Sequence, residues 1–184
     1  MTLGDERDNP IMKFQEMIGL AVFDIEEGKK IGKICDFILT TDWQLAGIEL
    51  DGRSFFSKQV KTVSWEDILA YGNDAVMIRN KQAVRKTEAD NIKYSYLKGH
   101  HKLRDMPVMT QEGLQLGRIT DVYFDQKMGK NIIGLEISDG FVMDLMEGRK
   151  WLPRTDDMKI GEHTVVVPTA SEQHLVDAIH SVNG

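Results

Sequence analysis

One cysteine among 184 residues, Cys35, excludes an intramolecular disulfide, so the fold must be held by its core and not by covalent staples. Long apolar runs are missing too. Nothing approaches the roughly 18 uninterrupted apolar residues of a membrane-spanning helix, so no membrane insertion is expected. Residues 1–10 are charged and lack an apolar h-region, which argues against a signal or transit peptide and makes the cytoplasm the default location. A positive surplus is absent: the formal net charge is −6, unlike a surface built mainly to coat nucleic acid.

The residue spacings of known chemistry are equally scarce. His100 and His101 are adjacent, His163 stands in a turn, and His174 and His180 lie six apart, so no His-x-x-x-His pair offers a zinc site. There is no Gly-x-Ser-x-Gly elbow. The segment Gly28-Lys-Lys-Ile-Gly-Lys33 is one residue short of a phosphate loop and has Ile34 where a hydroxyl must hold magnesium. Asp24-Ile-Glu-Glu-Gly28 lacks the third ligand and the helical flanks of a calcium loop. Cys35 lies in a strand-like run beside Asp36, which disfavours a thiolate, and reads as a small structural hydrophobe. No catalytic residue, metal or cofactor is expected, and the chain reads as a non-enzyme.

What is present is a duplication. Gly28-Lys-Lys-Ile-Gly-Lys-Ile-Cys-Asp36 and Gly113-Leu-Gln-Leu-Gly-Arg-Ile-Thr-Asp121 share Gly-x-x-apolar-Gly-basic-Ile-x-Asp without a gap. Val22 and Val108 precede them, and Gly47-Ile-Glu-Leu50 matches Gly134-Leu-Glu-Ile137. Trp65 and Trp151 follow, each before acidic residues (Glu66 and Asp67, Asp156 and Asp157), and Gly72 to Ile78 matches Gly161 to Val167. The repeat is too long for a solenoid unit and suits a duplicated small domain. Gly28 and Gly113 sit between apolar runs as hairpin punctuation, and Asp51-Gly52 and Asp139-Gly140 are dipeptides of tight hairpins. Short strands with regular turn signals predict a mainly all-β fold of two small barrels, with Gly28, Gly32, Asp36, Trp65, Gly72, Gly113, Gly117, Asp121, Trp151 and Gly161 as structural turn residues. The paired tryptophans are expected to pack on a barrel end, with the carboxylates capping a short helical turn.

These blocks resemble the PRC-barrel domain in two tandem copies. The pattern appears as Ile18 to Val22, Glu27 to Asp36, Ser64 to Ile68 and Gly72 to Val76, then as Met106 to Val108, Glu112 to Asp121, Leu152-Pro153 and Gly161 to Val165. The second copy departs where Glu162 and His163 replace x-Asp. The family includes the cytoplasmic barrel of the photosynthetic reaction-centre H subunit, the C-terminal domain of a ribosome-maturation factor, and stand-alone two-barrel bacterial proteins, which this chain is most similar to. The resemblance implies a binding or scaffolding surface.

The domain plan that follows is a flexible tail over 1–15, barrel 1 over 16–80, a basic linker over 81–102, barrel 2 over 103–168 and a C-terminal helix over 169–184. Ser171 is its expected N-cap, and Leu175, Ala178, Ile179 and Val182 form an apolar stripe. Residues 80–102 carry a charge of +4, from Lys81, Arg85, Lys86, Lys93, Lys98 and Lys102 against Glu88 and Asp90. Tyr94 and Tyr96 are interleaved with them, an arrangement able to stack bases while cations meet phosphates. Two functions are left open: a cytoplasmic interaction protein whose barrels bind a protein partner, and an RNA-associated factor of RNA processing or ribosome maturation that touches RNA through the linker. The sequence also leaves homo-oligomerisation open.

Overall fold

Strands of two to eleven residues carry the structure, here a computed structural model that describes residues 11–177. In chain order they are β1 (Ile11–Lys13), β2 (Ala21–Asp24), β3 (Lys30–Leu39), β4 (Leu45–Leu50), β5 (Gln59–Ser64), β6 (Ile68–Tyr71), β7 (Ala75–Ile78), β8 (Val84–Glu88) and β9 (Tyr94–Ser95). They continue as β10 (Pro107–Thr110), β11 (Gln115–Asp125), β12 (Ile132–Ser138), β13 (Lys150–Pro153), β14 (Lys159–Ile160), β15 (Val165–Val167) and β16 (Val176–Asp177). Two short α-helices interrupt them, α1 (Phe14–Met17) and α2 (Phe141–Glu147). No described helix is long and apolar enough to cross a membrane.

The chain divides into two units, Phe14–Arg104 and, together, Met1–Lys13 and Asp105–Gly184. In the first unit the strand order is β6-β7-β2-β3-β4-β5-β8, with β9 added beside β3. In the second it is β14-β15-β10-β11-β12-β13-β16, with β1 added beside β11. Neighbours are antiparallel except β2 with β7 and β10 with β15. Each unit has its own apolar core, with Val22, Phe37, Ile48, Val63 and Val76 fully buried in the first and Val108, Val122, Phe124, Leu135 and Leu152 in the second. Burial of such side chains is the main force that favours a small sheet domain over the unfolded chain.

The repeated motif is a bend. Ile34 faces Leu50 and Asp36 faces Glu49, which leaves Cys35 as an extra residue; Ile119 faces Ile137 and Asp121 faces Glu136, which leaves Thr120 extra. A bulge bends its strand and raises its twist, so one long strand pairs two different neighbours along its length. The aspartate after the bulge is buried and bonds to backbone. Asp36 Oδ1 accepts N–H bonds from Phe37 (2.8 Å), Tyr96 (3.1 Å) and Leu97 (2.8 Å), and its Oδ2 accepts the Lys98 N–H (2.9 Å). Asp121 accepts the Val122 N–H at 2.8 Å. Gly28 and Gly113, with φ of 65° and 90°, close the preceding hairpins in a conformation that a Cβ disfavours.

Five expectations need correction. Residues 81–102 are not a linker: β8 pairs with β5 from Gln59↔Glu88 to Val63↔Val84, and β9 pairs with β3. Lysine and arginine on an edge strand discourage pairing with another chain, so the same charges that look like a solvated connector suit β8. Residues 11–15 are not a tail, because β1 pairs with β11 and Phe14 is fully buried. Asp51-Gly52 and Asp139-Gly140 do not make two-residue turns; they open the long loops 51–58 and 139–149. Trp151 is not the counterpart of Trp65. Trp65 opens a 3-10 turn after β5, whereas Trp151 lies within β13 opposite Glu136, where Thr62 stands in the first unit. The longer loop before β13 displaced the apparent match. Finally, Thr169–His174 is a 3-10 helix that begins after Pro168 and leads into β16; Ala178, Ile179, His180 and Val182 lie outside the described residues.

Candidate functional site

Six cations and two tyrosines were the expected contacts for an anionic partner. The tyrosines are unavailable for stacking: Tyr94 is 4% exposed and Tyr96 is fully buried, with its ring edge-on to Phe14 at 5.4 Å. Their spacing among lysines reflects a chain that tucks alternate aromatics under the first unit. The cations are exposed but do not converge on one place. Arg85 reaches Asp67 at 3.4 Å, Lys86 stands opposite Lys61 in the β5–β8 register, and Lys81 belongs to a 3-10 turn before β8. Lys93 and Lys98 do come together. With Arg53, His100, His101, Glu49 and Asp90 they line a cleft of about 750 Å³ in the first unit. Lys102 is not among its lining residues.

The polar hubs of the two units centre on equivalent glutamates. Glu136 is 2% exposed and takes four side-chain bonds, from Thr120 Oγ1 (2.9 Å), Tyr123 Oη (2.8 Å), Lys13 Nζ (2.8 Å) and Arg149 Nη1 (2.9 Å). Burial pushes its carboxyl upward, but these donors, led by Lys13 and Arg149, hold it down at about 2. Glu49 meets Lys98 Nζ at 3.0 Å and the Cys35 thiol at 3.6 Å. Burial pushes the Cys35 thiol up to about 11 despite the Lys98 ammonium 3.1 Å away, so it is protonated at neutral pH. Among the described residues, no three histidine, cysteine or carboxylate groups gather as metal ligands.

The sequence reading missed a feature of one loop in each unit. Between β4 and β5 the chain reads Asp51-Gly-Arg-Ser-Phe-Phe-Ser-Lys58, and Phe55 and Phe56 are 94% and 93% exposed. Their rings meet edge to face at 5.5 Å. The loop is held in shape beneath them: Ser57 N–H donates to Ser54 O (2.9 Å), Arg53 Nε donates to Ser57 O (2.8 Å) and Ser57 Oγ donates to Gln59 O (3.1 Å). At the same place in the second unit, α2 presents Leu145 (72% exposed) and Met146 (76%). Gly140 and Gly148 bracket that helix, and Ser138 Oγ donates to Asp144 Oδ2 at 2.7 Å. The signal in the sequence was an apolar pair inside a loop otherwise built of polar and turn residues, which breaks the usual polar pattern of loops.

The sequence model of the PRC-barrel domain matches residues 10–85 and 98–174. The chain belongs to the PRC-barrel family, in two tandem copies. No curated protein matches it. Both matched regions take in a bulge with its buried aspartate, and both include the loop that follows the bulged strand's hairpin partner, from β4 to β5 in one and from β12 to β13 in the other. As PRC barrels the two units share their frame and differ in what that loop displays. The hub aspartates and glutamates are engaged in holding backbone and neighbouring cations, so the recurring polar residues of the PRC motif are accounted for by the frame.

Proposed function

We propose that this PRC-barrel protein is a non-enzymatic interaction protein of the cytoplasm, which docks a protein partner on the α2 loop of its second unit. The observation that carries the reading is the exposure of Leu145 and Met146, with Met143 partly exposed beside them, on a helix clamped to the barrel. Adjacent large apolar side chains that stay in water mark binding surfaces more often than isolated ones do. Methionine suits a protein partner because its flexible, polarisable chain adapts to the shape it meets. Glu147 pairs with Lys150 at 3.6 Å and Asp144 with Arg149 at 3.8 Å, so the rim of the patch is of mixed charge and the complementary surface is an apolar groove with a polar border. RNA loses support as the partner, because neither Tyr94 nor Tyr96 can stack a base.

The test is affinity purification from the native host, with and without nuclease, of the wild-type chain and a Leu145→Ser/Met146→Ser variant. A partner should survive nuclease and 0.5 M-scale salt, since apolar contact is not screened, by roughly the Debye argument. Each lost apolar contact is worth about 1.5–3 kcal/mol, so the double variant should lose the partner. Recovery of RNA, or of the same protein by the variant, overturns the reading.

A further inference from the structure

We infer that the Phe55–Phe56 loop of the first unit inserts into an anionic lipid surface, with basic groups at its base meeting the headgroups. The tip itself is the first ground. Two phenylalanines stand almost fully in water side by side, on a loop whose backbone is fixed by the Arg53, Ser54 and Ser57 hydrogen bonds. Holding apolar rings in water is unfavourable, and a fixed loop leaves them no way to fold back. Their edge-to-face arrangement presents a wedge rather than the open flat platform on which bases stack.

Charge selects the partner. The loop 51–58 carries Arg53 and Lys58 against one acid, Asp51, whose Oδ1 is turned to the Lys33 N–H at 2.8 Å. Lys61 lies at its base, its Nζ 3.8 Å from where a side chain on Gly52 would begin. Lys61 is directly opposite Lys86 in the strand pair, and both are exposed. Like charges placed opposite each other destabilise a sheet, and an anionic surface would relieve that repulsion. Arg53 also lines the cleft that holds Lys93, Lys98, His100 and His101 beside Glu49 and Asp90, so cations outnumber acids from the tip towards a recess large enough for a headgroup. The equivalent loop of the second unit gives the contrast: it carries Asp139, Asp144 and Glu147 against Arg149, a balance that an anionic surface repels. The combination of an apolar tip and flanking cations is the one by which peripheral proteins attach to lipid, where aromatic burial and electrostatic attraction add.

The experiment is flotation of the full chain with vesicles of phosphatidylcholine alone and of equimolar phosphatidylcholine and phosphatidylglycerol. The wild type should float with the anionic vesicles and not with the neutral ones. Phe55→Ser/Phe56→Ser should weaken flotation by about a hundredfold, from loss of two buried rings. Lys58→Gln/Lys61→Gln should weaken it by roughly tenfold and flatten its salt dependence. All four side chains are exposed, so unchanged melting curves will show that the variants are folded. Absence of flotation by the wild type overturns the inference, as does flotation indifferent to the phenylalanines. Binding of a single-stranded RNA oligonucleotide that needs those rings, without vesicle binding, overturns it in favour of nucleic acid. The protein partner proposed for α2 is a separate matter: these variants should retain it.

Discussion

The loops 51–58 and 139–149 leave equivalent strands of equivalent barrels and share almost nothing else. One is short, basic and tipped by two phenylalanines; the other is longer, acidic and folded into a helix that shows leucine and methionine. Beneath them the strands, their bulges and the buried aspartates recur. The contrast separates frame from function. A residue that appears in both copies at the same bulge answers to the geometry of a bent strand, whereas a loop free of that geometry can answer to a partner.

A second contrast lies in how each unit is assembled, and it gives the largest expected effect. The first unit is continuous in sequence, and its added strand β9 lies within it. The second takes its added strand from residues 11–13, ahead of the first unit. A fragment spanning 14–104 should therefore give a dispersed amide spectrum. A fragment spanning 105–184 should not, because it leaves β11 uncovered over Tyr123–Asp125 and takes Lys13 from Glu136. Joining residues 11–13 to the second fragment through a flexible linker should restore it. Equal behaviour of the two bare fragments would break the comparison.

The glutamate hubs come next in size. Glu136 carries four donors and Glu49 two, so Glu136→Gln should cost about 2–3 kcal/mol and Glu49→Gln about 1 kcal/mol, read from chemical denaturation midpoints. The same contrast fixes a pH effect. The Glu136 carboxyl is held near 2 against an ordinary 4.5, so its stabilisation is complete above about pH 4.5 and is lost as the pH falls towards 2. The shift corresponds to about 3 kcal/mol, and Glu136→Gln should abolish that part of the acid sensitivity. Asp36 acts in the opposite sense: burial raises its carboxyl despite the backbone donors around it, so the first unit gains stability as it takes up a proton. Melting Glu136→Gln and Asp36→Asn beside the wild type from neutral to acid pH should show that the two groups contribute slopes of opposite sign.

The duplicated motif made most of the frame legible, because a turn glycine, a bulge and a buried aspartate must sit at fixed spacings to work at all. The added strands were not legible. β1 and β9 are two or three residues long and gain order only by pairing with strands over 25 residues distant, so neither has a local pattern to read. Trp151 was misplaced for a related reason. The shared residue type is incidental, whereas Gly134 packs so closely under the indole that a Cβ there would lie 2.5 Å from it. The exposed phenylalanines are hard to read from sequence because one apolar pair has no period, and their meaning rests on their exposure, which a structure displays.

The smallest effect tests whether the bulge residue is interchangeable. Cys35 and Thr120 occupy the same extra position, each beside the glutamate of its unit. Thr120 donates to Glu136 Oε1 at 2.9 Å, while the thiol stands 3.6 Å from Glu49 and shares that carboxylate with Lys98. A threonine at residue 35 would offer Glu49 a stronger donor of similar size, and one hydrogen bond is worth about 0.5–1.5 kcal/mol net. That position is partly exposed to water, which brings the expected gain for Cys35→Thr to about 0.5 kcal/mol. A loss above about 1 kcal/mol would mean that the thiol packs in a way the hydroxyl cannot, and that the two bulges have diverged in chemistry as well as in sequence. The wild-type thiol supplies the companion measurement: held at about 11, it should alkylate slowly at neutral pH and accelerate only as the pH approaches that value.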